Sequence, residues 1–266
     1  MKITPDVFEA YLKCPTKCWL SATDEASTGA SYSEWLKTQN DSYRLIGTRR
    51  LVAKFSNDEV VLSPDMEYFK VAKWRLASNL AVQAQMDCCV LESEIHALEC
   101  MPAEGQKKLS EFIPIRFVFT NKLSEDDKLV LAFDAFVLSR SLGYEIGLGK
   151  IIHGDDHVAL KVKTSALTSE VRKCLETIAT LLSNPAPPDL VLNRHCAKCK
   201  FQPRCRKLAI EKDDLSLLES LTEKERRKLR SKGIFTVLSF PTRFGLGSAA
   251  GARQTTRRNT ITLSRP

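Results

Sequence analysis

Residues 195 to 205 read HCAKCKFQPRC and place three cysteines in a Cys-x2-Cys-x5-Cys arrangement. Two thiolates three residues apart can bind one metal centre, and a third thiolate a few residues later can close over it. Four cations lie among or beside these cysteines and would offset the negative charge of bound thiolates: Lys198, Lys200, Arg204 and Arg206. The stretch therefore predicts a metal centre with Cys196, Cys199 and Cys205 among its ligands.

A fourth ligand is expected from the other end of the chain. Thr4 and Pro5 are typical of a helix start, because they supply a hydroxyl cap and a φ angle suited to the first turn. Pro15 ends or bends that helix directly after Cys14. We therefore expect Cys14 to be the fourth thiolate ligand, with Cys18, one turn later, as the alternative.

Two other interpretations of these cysteines stay open. A zinc ion could be bound with His195 as one ligand, since imidazole and thiolate are the usual ligands of structural zinc. The cysteines could also be buried structural residues, although so polar a loop offers little apolar core to hide them. We interpret the cysteines outside this group as core or surface thiols: Cys88, Cys89, Cys100 and Cys174.

The composition is that of a soluble globular protein. With 266 residues, 43% of them apolar, the chain is long enough for one large domain and a small appendage. No apolar run is long enough to span a membrane, and the N-terminus lacks the apolar stretch of a signal peptide. We therefore expect a cytoplasmic protein without a membrane partner, whose nine cysteines do not form a disulfide framework. The net charge of +8 favours a nucleic-acid partner.

The order of the predicted elements indicates an α/β fold. Residues 128 to 142 are apolar on nearly every side and predict a core helix, which Gly143 ends. Alternating apolar side chains predict strands over residues 91 to 100 and 112 to 119, whereas residues 66 to 78 are typical of an amphipathic helix. This order predicts a mixed sheet flanked by helices.

The last part of the chain is predicted to be separate. Thr222 and Glu225 form a capping box that begins a basic helix, and Gly233 follows as a turn. Residues 211 to 241 thus resemble a small helical helix-hairpin-helix unit, in which a glycine turn presents backbone N–H groups to a phosphate; a solvated basic helix is the alternative. Residues 242 to 266 contain five arginines and no acids, which predicts a disordered basic tail.

Residues 11 to 15 (YLKCP), a central core of mixed elements and the final Cys-x2-Cys-x5-Cys resemble the RecB-like nucleases, in the iron–sulfur branch of the PD-(D/E)xK superfamily. The resemblance implies a restriction-endonuclease-like domain over residues 1 to 208. It also implies that a 4Fe-4S cluster closes this domain on four cysteine ligands: Cys14, Cys196, Cys199 and Cys205. A cross-link between such distant residues stabilises a fold by about 4–5 kcal/mol.

The resemblance also implies a catalytic site in which two carboxylates bind Mg²⁺ or Mn²⁺ and a lysine orients the attacking water. By the order of the strands, Glu99 and Glu111 are the expected metal ligands. Arg116 and His96 are the further expected catalytic residues.

The chain departs from the family pattern at this site. The family's Asp/Glu-x-Lys is replaced by residues 114 to 116 (PIR); proline cannot bind a metal, and arginine is a poor substitute for lysine. Glu94 and Lys122 lie close by as substitutes. We therefore expect an active site that is either rearranged or lost.

Asp134, within the apolar helix, requires a buried partner, and we interpret it as structural.

The leading hypothesis is an iron–sulfur deoxyribonuclease-type protein that acts on DNA ends or single strands. The resemblance suggests a helicase or an RNase-H-like domain as a partner in trans. A non-catalytic DNA-binding module of the same fold is the first alternative. A zinc-stabilised interaction domain is the second.

Overall fold

A computed structural model describes residues 1–23, 31–64, 74–87, 89–101, 111–218 and 221–239. The chain divides into two compact units, Met1–Glu211 and Lys212–Pro266. Cys88 and the basic tail predicted for residues 242 to 266 lie outside the described residues.

The first unit contains six α-helices and seven strands within the described ranges. The helices are α1 Pro5–Lys13, α2 Pro15–Ala22, α3 Ser31–Val52, α4 Glu125–Leu142, α5 Thr168–Ser183 and α6 Gln202–Glu211. The strands are β1 Lys2–Ile3, β2 Val60–Leu62, β3 Leu76–Met86, β4 Cys89–Met101, β5 Glu111–Val118, β6 Gly149–His153 and β7 Val158–Val162. No helix in the described part of the chain is long and apolar enough to cross a membrane.

The strands of the described ranges form one mixed sheet. Its order is β2-β3-β4-β5-β6-β7, with β1 pairing in parallel with the start of β4. β2 runs parallel to β3, and β5 runs parallel to β6, whereas the pairs β3–β4, β4–β5 and β6–β7 are antiparallel. The predicted α/β fold, with a mixed sheet flanked by helices, is confirmed.

Helix α4 is the core helix that the sequence predicts. Ser124 begins it with a capping box to Asp127, and Gly143 ends it with φ 81°, a left-handed conformation that glycine adopts without strain. Its residues from Leu129 to Leu138 are all buried. Side chains of α1, α4 and α5 together cover one face of the sheet.

Helix α3 covers the opposite face of the sheet. Tyr43 and Leu51 of α3 pack against apolar side chains of three strands, among them Ala97, Ile115 and Phe117. The sheet therefore has an α4 face and an α3 face, and every side chain of the central strands can be assigned to one of them.

The helix predicted for residues 66 to 78 is wrong at its end. Residues 65 to 73 lie outside the described part of the chain, but Leu76, Ala77 and Ser78 belong to β3 and are all fully buried. A strand buried on both faces lacks the polar alternation that distinguishes it from a helix. The pattern was therefore ambiguous at this point.

Strands β3 and β4 exchange faces near Asn79, which has φ 55°. Ala77 and Leu80 are three residues apart, yet both belong to the α4-side core, as do Ile95 and Leu98 on β4. In a regular strand, residues an odd number apart point to opposite faces. Side chains before and after this irregularity therefore change sides of the sheet.

Gly47 allows α3 to approach the sheet. A Cβ atom at this position would lie 2.5 Å from two ring atoms of Phe117. We expect Gly47→Ala to lower the free energy of unfolding by about 1–3 kcal/mol, because the ring or the helix must move. Urea unfolding followed by circular dichroism measures the change.

Gly147 supplies the matched control for this prediction. A Cβ there would meet Ser165 at 3.8 Å, which is an ordinary contact. Gly147→Ala should therefore leave the unfolding midpoint nearly unchanged. Equal stability losses in the two variants would show that the contact with Phe117 does not limit the approach of α3.

The second unit contains helix α7, Glu223–Arg230, within its described residues. The predicted capping box of Thr222 and Glu225 is confirmed. The N–H groups of Gly233 and Ile234 donate to the backbone oxygens of Arg230 and Leu229 at 3.0 and 3.1 Å. These two N–H groups end the helix, and the helix-hairpin-helix resemblance of this unit stays a prediction.

Candidate metal centre and sheet site

Cys14 occupies the corner between α1 and α2. It ends one helix and begins the next, with an extended backbone of φ −170° and ψ 127°. Its N–H donates to the backbone oxygen of Ala10, and its own backbone oxygen accepts from Cys18. The thiol makes no capping hydrogen bond with α2. The backbone is thus fully used at this corner while the sulfur is left available as a ligand.

Asn193 joins the two distant cysteine segments. Its Nδ2 donates to the backbone oxygen of Lys13, the residue before Cys14, at 3.1 Å. Its backbone N–H donates to Cys196 Sγ at 3.2 Å. One residue therefore contacts both segments, although they are about 180 residues apart in sequence.

The rest of the cysteine loop packs on α2. Residues Cys196–Lys198 form a 3-10 turn, and the N–H of Cys199 donates to the backbone oxygen of Cys196 at 3.0 Å. Phe201 and Cys205 are buried in one cluster with Trp19 and Leu20 of α2. Apolar packing thus brings the loop to the helix that Cys14 begins.

The thiols of the four predicted ligands are close enough for their charges to interact. Burial, together with negative charge on Cys199, Cys14 and Cys196, raises the pKa of Cys205 to about 11. Burial also raises the pKa of Cys196, with smaller contributions in the same direction from Cys14 and Cys199. A bound cation would relieve this mutual repulsion, which is the electrostatic setting of a thiolate metal site.

Cys18 belongs to a different environment. It is fully buried and packs in the main core with residues such as Phe8. Burial raises its pKa to about 12, with an added contribution from Cys14 but from none of the three loop cysteines. Of the two alternatives for the fourth ligand, the geometry favours Cys14.

Within the described residues, no three His, Cys, Asp or Glu side chains are grouped as one metal ion requires. A 4Fe-4S cluster and a zinc ion therefore both stay predictions for these thiols.

His195 does not join the cysteines as a clear fourth donor. Its ring is half-buried, and its Nε2 lies 3.4 Å from Nε of Arg194. Burial lowers the pKa of His195, and the positive charges of Lys13 and Arg194 lower it further. Both effects favour the neutral ring, which is the form that binds a metal ion, so a zinc ion with His195 as one ligand stays an open alternative.

Arg116 lies on the α4 face of the sheet, where it forms an ion pair with Asp134. Its Nε and NH2 donate to the two carboxylate oxygens of Asp134 at 2.9 Å each. Ser93 donates to the same carboxylate at 2.6 Å. Burial raises the pKa of Asp134, against the opposing effects of Arg116 and Ser93. The buried partner expected for Asp134 is thus Arg116, and this arginine is used structurally.

His96 is also engaged by the fold. Its Nδ1 accepts a hydrogen bond from the backbone N–H of Phe117 at 3.1 Å, at the point where β4 and β5 separate. Burial lowers the pKa of His96 well below its ordinary value, and the guanidinium groups of Arg116 and Arg44 lower it further. The ring is therefore neutral at neutral pH and holds two strands together.

Glu99 and Glu111, the two expected metal ligands, share the α3 face. Their strands are paired so that Met101 lies opposite Glu111, which makes Glu99 and Glu111 diagonal neighbours with Cα atoms about 7–8 Å apart. Glu99 is largely buried and forms an ion pair with Lys150 of β6. The structure brings the two acids to one face but separates them from Arg116, which points to the other.

Lys150 was missed by the sequence analysis. It reaches Glu99 only because β5 and β6 are parallel and in register, with Lys150 beside Ile115. The analysis instead singled out Lys122, which is exposed in the loop after β5. A lysine two residues into a short strand carries no signal of its own.

Glu94 is paired with α3. Its carboxylate accepts from NH2 of Arg44 at 2.5 Å, and the same NH2 donates to Asn79 Oδ1 at 2.8 Å. Glu94 and Glu99 lie on one strand five residues apart, about 16 Å along the strand. They cannot share a divalent ion.

A cavity of about 400 Å³ lies elsewhere, between α4 and the start of α5. Phe136, Arg140, Tyr144 and Arg172 are among its lining residues. None of the residues predicted for the metal or catalytic sites lines it.

Comparisons with known proteins do not assign the chain to a family. No protein family and no curated protein matches it. A solved structure described as the crystal structure of SSO0001 aligns with 77% of this chain and 86% of its own, at 12% identity and a TM-score of 0.45. That degree of likeness carries no argument about function.

Proposed function

We propose that the protein binds DNA through the α3 side of its first unit, does not hydrolyse it, and carries a 4Fe-4S cluster on Cys14, Cys196, Cys199 and Cys205. The observation that carries the proposal is the bidentate ion pair of Arg116 with Asp134. This pair holds the only basic residue of the PIR segment on the face opposite Glu99 and Glu111. Arg116, which stands at the position of the family's lysine, therefore lies on the opposite face from Glu99 and Glu111.

The charge of α3 supports the binding role. Four exposed cations lie on this helix and directly after it, against two exposed acids, Glu34 and Asp41. The cations are Lys37, Arg49, Arg50 and Lys54. Exposed cations are the usual contacts of a protein with the phosphates of nucleic acid.

The cluster supports the fold that presents this helix. The four cysteines offer a soft, all-thiolate donor set, and their residues come from both ends of the unit. When bound, the cluster supplies a cross-link and neutralises the repulsion between thiolates. Asn193 and the packing of Phe201 on Trp19 orient these ligands without it.

Salt-dependent binding tests the proposal. We expect Arg49→Ala combined with Lys54→Ala to weaken binding of a labelled oligonucleotide about tenfold and to lower the slope of log K against log salt by about 1–2. Fluorescence anisotropy at several salt concentrations, with anaerobically purified protein, measures both. Lys161→Ala combined with Lys163→Ala removes the same charge at the β7 edge and should leave the slope unchanged.

A second candidate function rests on Glu99 and Lys150. These residues, with Glu111, place two carboxylates and a lysine on one face, so a rearranged nuclease site would use them. Incubation of the intact protein with labelled single-stranded DNA and Mg²⁺ or Mn²⁺ decides between the two. Cleavage that is lost in Glu99→Ala would establish the nuclease and refute the non-catalytic proposal.

A further inference from the structure

Two aromatic side chains at the start of α3 are unusually exposed. Tyr32 is 42% exposed and Trp35 is 49% exposed, and their ring centroids lie 5.8 Å apart. Large aromatic rings contribute most when they are buried, so an adjacent exposed pair is a poor use of them for stability. The pair forms the surface that we name the aromatic platform.

A further aromatic side chain packs against Trp35 of the aromatic platform. Phe119, which follows β5, meets Trp35 edge to face at 6.4 Å between ring centroids, and it meets Tyr43 in the same way at 6.1 Å. Tyr43 is buried and donates from its hydroxyl to the backbone oxygen of Gly154 at 2.8 Å. Trp35 therefore packs on a half-buried ring that is itself held by buried Tyr43, which limits the entropy lost when a ligand stacks on Trp35.

A cation borders the platform. The ammonium group of Lys198, in the cysteine loop, lies 5.4 Å from the centroid of the Tyr32 ring. Ring faces bordered by cations are complementary to bases linked by phosphates.

We propose that Tyr32 and Trp35 form a stacking site for unpaired bases of single-stranded nucleic acid, with Lys198 contacting its phosphates. This inference rests on the proposed DNA-binding function and names the form of the ligand and its site. In a duplex the faces of internal bases are covered by their neighbours. The platform therefore selects single strands, whereas the exposed cations of α3 bind either form.

The fluorescence of Trp35 can report the binding of a ligand to the platform. The other two tryptophans, Trp19 and Trp74, are only 9% and 4% exposed, so a ligand on the surface contacts Trp35 first. We expect oligothymidylate of about fifteen nucleotides, within the usual range of single-strand site sizes, to quench the tryptophan emission. A duplex of the same length should quench it far less.

Substitution of Trp35 tests the site. Trp35→Ala should weaken binding of oligothymidylate about 5- to 150-fold, the cost of one lost base stack, and change duplex binding less than about twofold. Trp35→Phe keeps a ring and should recover most of the loss. Leu45→Ala on the same helix removes an apolar side chain that is 53% exposed and should have no effect.

The outcomes separate this inference from the proposed function. Binding of oligothymidylate that is equal in Trp35→Ala and the unaltered protein overturns the stacking site alone, as does an equal loss in Leu45→Ala. An equal loss for duplex and single strand also overturns it, because stacking acts only on unpaired bases. Failure of the unaltered protein to bind either oligonucleotide overturns both. Thermal melts of each variant verify that it is folded.

Discussion

Replacing Cys14 by serine is expected to remove the iron from the purified protein and to lower its free energy of unfolding by about 4–5 kcal/mol. The expected effect is large because the proposed cluster would join Cys14 to residues about 180 positions away, and closing so long a loop removes much of the entropy of the unfolded chain. Cys205→Ser should have the same effect. Iron and sulfide content, absorbance at about 400 nm and denaturant unfolding under anaerobic conditions measure it.

Two other cysteines serve as controls for this prediction. Cys174→Ser changes a half-buried thiol of α5 that is not among the predicted ligands and should leave the iron content unchanged. Cys18→Ala leaves a small cavity in the main core, so it should cost some stability without loss of colour. Full iron content in Cys14→Ser, or colour lost only in Cys18→Ala, would refute the assignment of Cys14.

Asp134→Ala is expected to lower the free energy of unfolding by about 3–5 kcal/mol, because it leaves the guanidinium group of Arg116 without its partner inside the protein. The side chains of Arg116 and Asp134 are only 14% and 2% exposed. The hydroxyl of Ser93 loses its acceptor in the same variant, which adds to the cost. Equilibrium unfolding in urea gives the difference.

A double variant separates the pair from its parts. Arg116→Met combined with Asp134→Leu replaces both charges by apolar groups of similar size and should be much more stable than Asp134→Ala alone. Glu125→Ala, at the exposed start of the same helix, breaks an ion pair with Lys128 and should cost less than about 1 kcal/mol. Additive losses for the two buried substitutions would contradict the bidentate pairing.

Local sequence patterns predicted the parts of the fold that depend on neighbouring residues. Helix α4 is an example, since its apolar run, its capping box and Gly143 all lie within one stretch of the chain. The same holds for the capping box of α7. Such features are determined within a few turns, where hydrogen bonds and side-chain spacing follow directly from sequence.

The candidate site was harder to predict because it depends on register and on which face a strand presents. Counting alternate residues along β4 puts Ser93 and Glu99 on one face, but the irregularity near Asn79 sends them to opposite faces. The partner of Glu99, Lys150, follows an intervening helix and is fixed by the parallel pairing of β5 with β6. Neither the left-handed residue nor the long-range pairing leaves a signal in a single sequence.

The contact between Asn193 and Lys13 has a consequence for biosynthesis. During translation at about 5–20 residues per second, Cys14 would leave the ribosome about 10–40 seconds before Cys196. During that interval the first helices fold without the segment that carries the other three predicted cysteine ligands. Insertion of the proposed cluster therefore has to follow synthesis of the loop that carries Cys196, Cys199 and Cys205, and under iron starvation we expect chains in which this loop and the first helices are not cross-linked.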